Sequence, residues 1–314
     1  MKSSFICLTS FLLGAAGFAF AADSVPSFSL GAGVVVDASR EAVYYADGKF
    51  AMHKRAIRDG KLAWTSGEQG LPIAIIGGAL LAQIPATRIG EGRLLWINAA
   101  SGKAGARFTV TLPNDVMAGL GPRANQHFEI TPEVSGSQLL LHWRYSFRPL
   151  RGAVSENDEA EEISRSGLIA LSAGASTAES REASGRVAPR LVYSLSAHEQ
   201  LSNQSGHQFR ASDDRHVLAS EGFDDPQFAT RYRWRILDRS SGAALGQIES
   251  IQSMAPFFVE GSTLVMRATR SVQTLADGRN AEFGERLIGF DLKTGAELWS
   301  ANVLDSAYRG LLPP

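Results

Sequence analysis

The phrase LIGFDLKTGAELWS, residues 287–300, recurs in whole or in part along the chain, and a recurring unit restricts the fold more than any other feature. Leu287, Ile288 and Phe290 are strand formers, Asp291 to Gly295 is turn chemistry, and Ala296 to Trp299 resumes a strand. An Asp side chain accepts hydrogen bonds from N–H groups about two residues on, and glycine reaches positive φ without a Cβ penalty. The stretch therefore predicts a β-hairpin. LLWINAASGKAGARF puts Asn98 where Asp291 stands and Gly102 where Gly295 stands. WRILDRSSGAALGQI does the same with Asp238 and Gly242. AIRDGKLAWTS keeps the end of the phrase, with Gly60 and Trp64 spaced like Gly295 and Trp299. GLIALSAGAS keeps its beginning, with Ser172 in the Asp place.

A second hairpin phrase precedes each copy. In LPIAIIGGALLAQ, ITPEVSGSQLLLHW and MAPFFVEGSTLVMRA, a Pro, a short apolar run and a Gly turn lead into a strongly apolar strand. FRASDDRHVLASEG and GVVVDASREAVYYADG are versions without Pro and with Asp in the turn. Each unit thus reads as four antiparallel strands, and no stretch sustains helical periodicity. One such sheet cannot bury both of its faces alone, so the units must stack. The expectation is an all-β chain, a β-propeller of four-stranded blades, with five units counted and rings of six to eight blades still compatible. Residues 151–166 and 174–190 are polar and rich in charge, Ser, Gly and Ala, and read as loop insertions. Phe28 to Val36 and Ala307 to Pro314 are the candidate clasp, one terminus lending a strand to a blade begun by the other. Trp64 and Trp299 would then lie in adjacent blades.

Residues 1–21 carry an early Lys2, an apolar run from Phe5 to Phe20 and an Ala-Phe-Ala triplet, the pattern of a secretory signal peptide. A single propeller domain, residues 22–314, is expected after cleavage, with no transmembrane segment and a periplasmic or secreted location. Cys7 is the only cysteine and lies in the leader, so the exported chain has no disulfide, thiolate nucleophile or cysteine metal site. A net charge of −1 provides no field that would draw nucleic acid.

The repeat resembles the quinoprotein-like propeller family, whose blades end in an Asp, a Thr-Gly turn and a Trp, and Leu287 to Trp299 carries the likeness most fully. In that family the Trp packs between neighbouring blades. The resemblance implies that Trp64 and Trp299 do so here. It also implies weaker docking in the repeats without Trp, or another side chain such as Phe108 in its place. Quinone-dependent members are about twice as long and hold calcium through carboxylate and amide ligands. No such ligand set can be placed on any loop here, so no cofactor is expected. Non-enzymatic members include the propeller of the outer-membrane barrel-assembly machine.

Chemistry-bearing clusters are sparse. His198, His207 and His216 are nine residues apart, and none of the histidines forms a metal-binding signature. Residues 156–162 are acidic but lack the alternating ligands and turn Gly of a calcium loop. Asp213-Asp214 and Asp224-Asp225-Pro226 read as turns. No catalytic or metal residue is assigned.

Two strands alternate arginine with aromatics. In HWRYSFRPLR, Arg144 and Arg148 oppose Trp143, Tyr145 and Phe147; in RYRWRILDR, Arg231, Arg233 and Arg235 oppose Tyr232, Trp234 and Ile236. The plain reading is aromatics packed between blades with arginines in solvent. The sharper one is an arginine-lined rim that grips a carboxylate, phosphate or acidic peptide. The expected function is a non-enzymatic binding or scaffold module for a protein or other envelope component. The alternative is a carbohydrate-active or quinoprotein-derived enzyme with its site in the central cavity.

Overall fold

The computed structural model describes residues 28–85, 91–111, 124–135, 138–149, 163–174, 179–182, 208–211 and 215–305. Their regular structure is all strand, and it falls into five consecutive antiparallel sheets. Sheet 1 is β1 (Phe28–Ser29), β2 (Val34–Val36), β3 (Ala42–Ala46), β4 (Ala51–Ala56) and β5 (Leu62–Gln69). Sheet 2 is β6 (Leu71–Ile76), β7 (Ala79–Ile84), β8 (Glu91–Asn98) and β9 (Ala104–Thr111). Sheet 3 is β10 (Ala124–Ser135), β11 (Gln138–Pro149), β12 (Ile163–Ser172) and β13 (Glu179–Glu182). Sheet 4 is β14 (Gln208–Ala211), β15 (His216–Phe223), β16 (Arg231–Asp238) and β17 (Ala244–Ser250). Sheet 5 is β18 (Phe257–Glu260), β19 (Thr263–Ala268), β22 (Arg286–Asp291) and β23 (Glu297–Asn302). A separate hairpin, β20 (Ser271–Thr274) with β21 (Asn280–Phe283), is inserted between β19 and β22. The five units read from the sequence are these five sheets.

The repeated turn has one geometry. Gly60, Gly102, Gly242 and Gly295 sit at φ 67°, 73°, 70° and 72°. Each donates its N–H to the carbonyl four residues back, on Ala56, Asn98, Asp238 and Asp291 respectively. The Asx side chain completes the turn. Asp291 Oδ1 accepts from the N–H of Lys293 at 2.9 Å, and Asn98 Oδ1 from Ser101 N–H at 2.9 Å. Asp238 Oδ1 accepts from the hydroxyls of Ser240 and Ser241 and from the Ser241 N–H, and these bonds hold its carboxyl well below the usual range.

Period-two alternation explains how the sheets stack. In sheet 1, Val36, Val43 and Tyr45 face one way, and Ala42, Tyr44 and Met52 face the other. The first set packs on Phe258, Val265, Leu287 and Trp299 of sheet 5; the second packs on Leu80, Ala82, Leu95 and Ile97 of sheet 2. Sheet 2 turns Leu81, Leu94, Trp96 and Phe108 toward Leu139, Leu141, Trp143 and Ile169 of sheet 3. Sheet 4 places Leu218, Trp234, Ile236 and Ile248 against Phe257, Leu264, Met266 and Ile288 of sheet 5. The order of docked sheets is therefore 3–2–1–5–4, and the last sheet closes on the first as a propeller requires.

Two expectations are corrected. The stretch from Phe28 to Val36 does not lend a strand to sheet 5; it forms the two innermost strands of sheet 1. Sheet 5 draws all four strands from residues 257–302, and among the described residues the closure consists of side-chain packing and the Leu304 N–H bond to Ala46 O at 2.8 Å. The other half of the candidate clasp, Ala307 to Pro314, lies outside the described residues. The insertion bounds also move. Residues 163–166 continue β12, where they pair with residues 144–147 of β11, and residues 179–182 form β13. Their polarity suits the outer part of a blade, which explains why they read as loop. The rest of both stretches, apart from Gly174, and the whole of the leader lie outside the described residues.

Candidate functional site

β16 carries the arginine pattern, and its alternation is real. Trp234 and Ile236 are fully buried against sheet 5, and Arg231, Arg233 and Arg235 project from the opposite face. Acids from both neighbouring strands and from the β15–β16 connection meet them. Arg235 lies 3.4 Å from Glu221 on β15, and Arg233 lies 3.8 Å from Glu249 on β17. Arg233 also lies over the ring of Phe223, 5.1 Å from its centroid. Arg231 is 3.4 Å from Asp225 and 3.6 Å from Glu249. Burial opposes ionisation of Asp225, but N–H bonds from Gln227 and Phe228 and the Arg231 guanidinium outweigh it and hold the carboxyl below its ordinary range. The ridge is thus a mixed-charge ladder and not a bare cationic strip.

Arg144 is exposed on β11 and donates to Ser164 at 3.3 Å. It sits on another sheet, so the two arginine strands do not form one described patch. On the same face of sheet 3, His142 lies 2.7 Å from Glu133. The side chain of Arg148, and Asp213 and Asp214, lie outside what is described. Near the start of the chain, His53 connects Thr65 Oγ1 at 3.0 Å with Asp47 Oδ2 at 3.4 Å, tying the β3–β4 turn to β5. Among the described residues no three His, Cys, Asp or Glu side chains gather as metal ligands, and no helix is long and apolar enough to cross a membrane.

A cleft of about 570 Å³ opens between β17 and sheet 5. Ile248, Met266, Ile288 and Phe290 form its floor, and Arg231, Glu249, Arg286 and Glu297 supply its charged lining. The inserted hairpin roofs one end. Ala229 N–H donates to Thr274 O at 2.9 Å, Ala276 N–H donates to Gln227 O at 3.0 Å, and Phe228 meets Phe283 with centroids 5.9 Å apart. Below it, Gln252 is locked. Its amide nitrogen donates to Thr269 O at 2.7 Å, its side-chain oxygen accepts from Thr269 N–H at 3.2 Å, and its carbonyl accepts from Trp234 Nε1 at 2.8 Å.

The cleft lies where the repeat departs from its own rule. Trp64, four residues after Gly60, packs on Gly102 of sheet 2 and donates its indole N–H to Ala99 O at 3.1 Å. Trp299, four after Gly295, packs on Gly60 of sheet 1 and donates to Ile57 O at 2.8 Å. Four after Gly242 stands Gly246, and here bare backbone meets the next turn. A Cβ at Gly246 would lie 2.0 Å from the carbonyl oxygen of Leu292. Between sheets 2 and 3, Phe108 is buried in the shared core, as expected of a substitute for the missing Trp.

Sequence reading found the β16 arginines but missed Arg286, the roofing hairpin and Gly246. The Gly-to-Trp spacing of the first and last repeats, applied to Gly242, would have pointed to Gly246.

No family model matches this chain, and no curated protein matches it. Among solved structures it is similar to BamB from Moraxella catarrhalis, with 14% identity, 88% of this chain and 64% of that chain covered, and a TM-score of 0.30. The chain thus spans less than two thirds of that protein. It is also similar to hydrazine synthase from Kuenenia stuttgartiensis, with 10% identity, 79% of this chain and 70% of that chain covered, and a TM-score of 0.31. The fold rests on the strand pairing and shared cores described above.

Proposed function

We propose that this is an exported, non-enzymatic β-propeller of the quinoprotein-like repeat type that presents a binding surface to a protein of the cell envelope. The observation that carries the reading is β16. Its aromatic face is sealed into the sheet 4–sheet 5 core, while three successive arginines on the other face stand among Glu221, Asp225 and Glu249. Such a ladder holds guanidinium groups extended and ready for a partner's carboxylates, at little entropic cost. The leader pattern of residues 1–21 supports export, and the near-neutral chain favours a protein over nucleic acid. The enzymatic alternative needs carboxylates converging on a substrate. Glu221, Asp225 and Glu249 are instead held by arginines.

Protein purified from the envelope should begin at or near Ala22, read by mass spectrometry, and recovery of a chain starting at Met1 would contradict export. The double variant Arg233→Gln/Arg235→Gln should melt within about 1 kcal/mol of the parent, since exposed ion pairs contribute little. It should capture less of its envelope partner in a pull-down, most visibly at low salt. Undiminished capture would remove the ridge from the binding surface.

A further inference from the structure

We infer that the cleft between β17 and sheet 5 receives an extended peptide segment of a partner protein. The segment would be laid along the open edge of β17 with an acidic side chain toward the roofing hairpin. This deepens the binding-module reading and rests on it.

The lining makes the argument. Gln247, Ile248, Glu249 and Ser250, the last four residues of β17, all border the cleft. Successive strand residues point to opposite faces, so a cleft that touches every one of them runs along the strand's edge and not over one face. Among the described residues β17 pairs with β16 alone, so that edge is unpaired. An unpaired edge beside a groove is the geometry of peptide capture by strand addition, in which main-chain hydrogen bonds give affinity and side-chain contacts give selectivity. The four of these on β17, Gln247 to Ser250, give about 13 Å of edge. Beneath it, Ile248, Met266, Ile288 and Phe290 offer an apolar floor for the inward side chains of an added strand.

The two ends differ in charge. At the hairpin end stand Arg231 and Arg286. Arg286 makes no ion pair with any described residue, and the Nε of Arg231 is a buried donor with no acceptor. At the other end stands Glu297, on the strand position paired with Phe290, four residues along β22 from Arg286 or about 13 Å. A segment with an acidic residue near the hairpin and a basic residue near the Gly295 turn answers both ends. Phe228 and Phe283 close the hairpin end, so the segment would enter from the turn side.

The test uses the exported chain and a fluorescein-labelled heptapeptide of alternating threonine and valine, with aspartate near one end and lysine near the other. Fluorescence anisotropy should show saturable binding. N-methylation of one alternate set of backbone amides should weaken it at least tenfold, and methylation of the other set should leave it nearly unchanged, because only one set faces the β17 edge. Arg286→Gln should weaken it at least fivefold without lowering the melting temperature. Equal affinity for both methylated peptides, no binding by the parent chain, or an unchanged affinity in Arg286→Gln would overturn the inference. So would laurate occupying the cleft while the peptide does not, since that result would make the site one for a small apolar carboxylate. If the peptide fails while Arg233→Gln/Arg235→Gln still reduces envelope capture, the cleft inference falls and the binding-module reading stands. If capture is also unchanged, both fall.

Discussion

Replacing Arg267 with methionine is expected to lower the stability of the protein by about 3–5 kcal/mol, the range for breaking a buried ion pair from one side. The Arg267 side chain is fully buried on β19 of sheet 5, where its Nε donates to Glu285 Oε2 at 2.8 Å. Its Nη1 donates to the carbonyls of Leu30 at 3.1 Å and Ala32 at 2.9 Å, and its Nη2 to Leu304 O at 2.7 Å. One guanidinium therefore joins the first described residues of the chain, the last ones and the middle of sheet 5. Methionine fills similar volume but takes the guanidinium from the buried Glu285 carboxylate and leaves three carbonyls short of a donor. Equilibrium urea unfolding measures the loss, and a change below 1 kcal/mol would contradict the clasp role. The double variant Arg267→Met/Glu285→Leu should recover part of the loss, because it removes the buried carboxylate as well.

Trp299→Ala is expected to cost about 3 kcal/mol, within the range for truncating a large buried aromatic. The indole is 7% exposed and lies in a slot cut by two glycines: a Cβ on Gly60 would fall 2.2 Å from it, and one on Gly289 would fall 2.4 Å from it. Its N–H satisfies Ile57 O at 2.8 Å, and the Arg55 guanidinium sits 5.8 Å from its ring centroid. Alanine would open a cavity at the sheet 5–sheet 1 junction and strand a buried carbonyl. A urea midpoint shift equivalent to less than half a kcal/mol would show that the indole does not bridge the two sheets.

The turn chemistry was legible because its causes are local. Asn98, Asp238 and Asp291 cap their own turns within three residues, and Gly102, Gly242 and Gly295 supply the positive φ, so sequence spacing alone located the hairpins. Sheet membership followed, since each blade is contiguous in sequence. The closing contacts were not legible. Arg267 meets Leu30 across 237 residues, and an arginine inside the apolar stretch TLVMRA carries no local sign of the carboxylate at Glu285 or the carbonyls it will meet. The arginine face of β16 was half legible. Alternation revealed the arginine face of β16, but nothing in RYRWRILDR shows that Glu221, Asp225 and Glu249 would come to neutralise it. The hairpin β20–β21 escaped notice because SVQT and NAEF alternate without a strong apolar face; what holds it is backbone bonding to residues 227–229 and one aromatic contact.

Sheet 5 closes the propeller on sheet 1, and hydrogen–deuterium exchange of Trp299→Ala reads that junction at both of its sides. Under native conditions, amides of β22 and β23 should lose protection in any case, because the substitution lies on that hairpin. Residues 56–62 of sheet 1, some 240 positions away in sequence, should lose protection with them, since Ile57 and Gly60 form the seat of the indole. Loss of protection confined to residues 286–302, with the turn at Gly60 exchanging as in the parent protein, would contradict it.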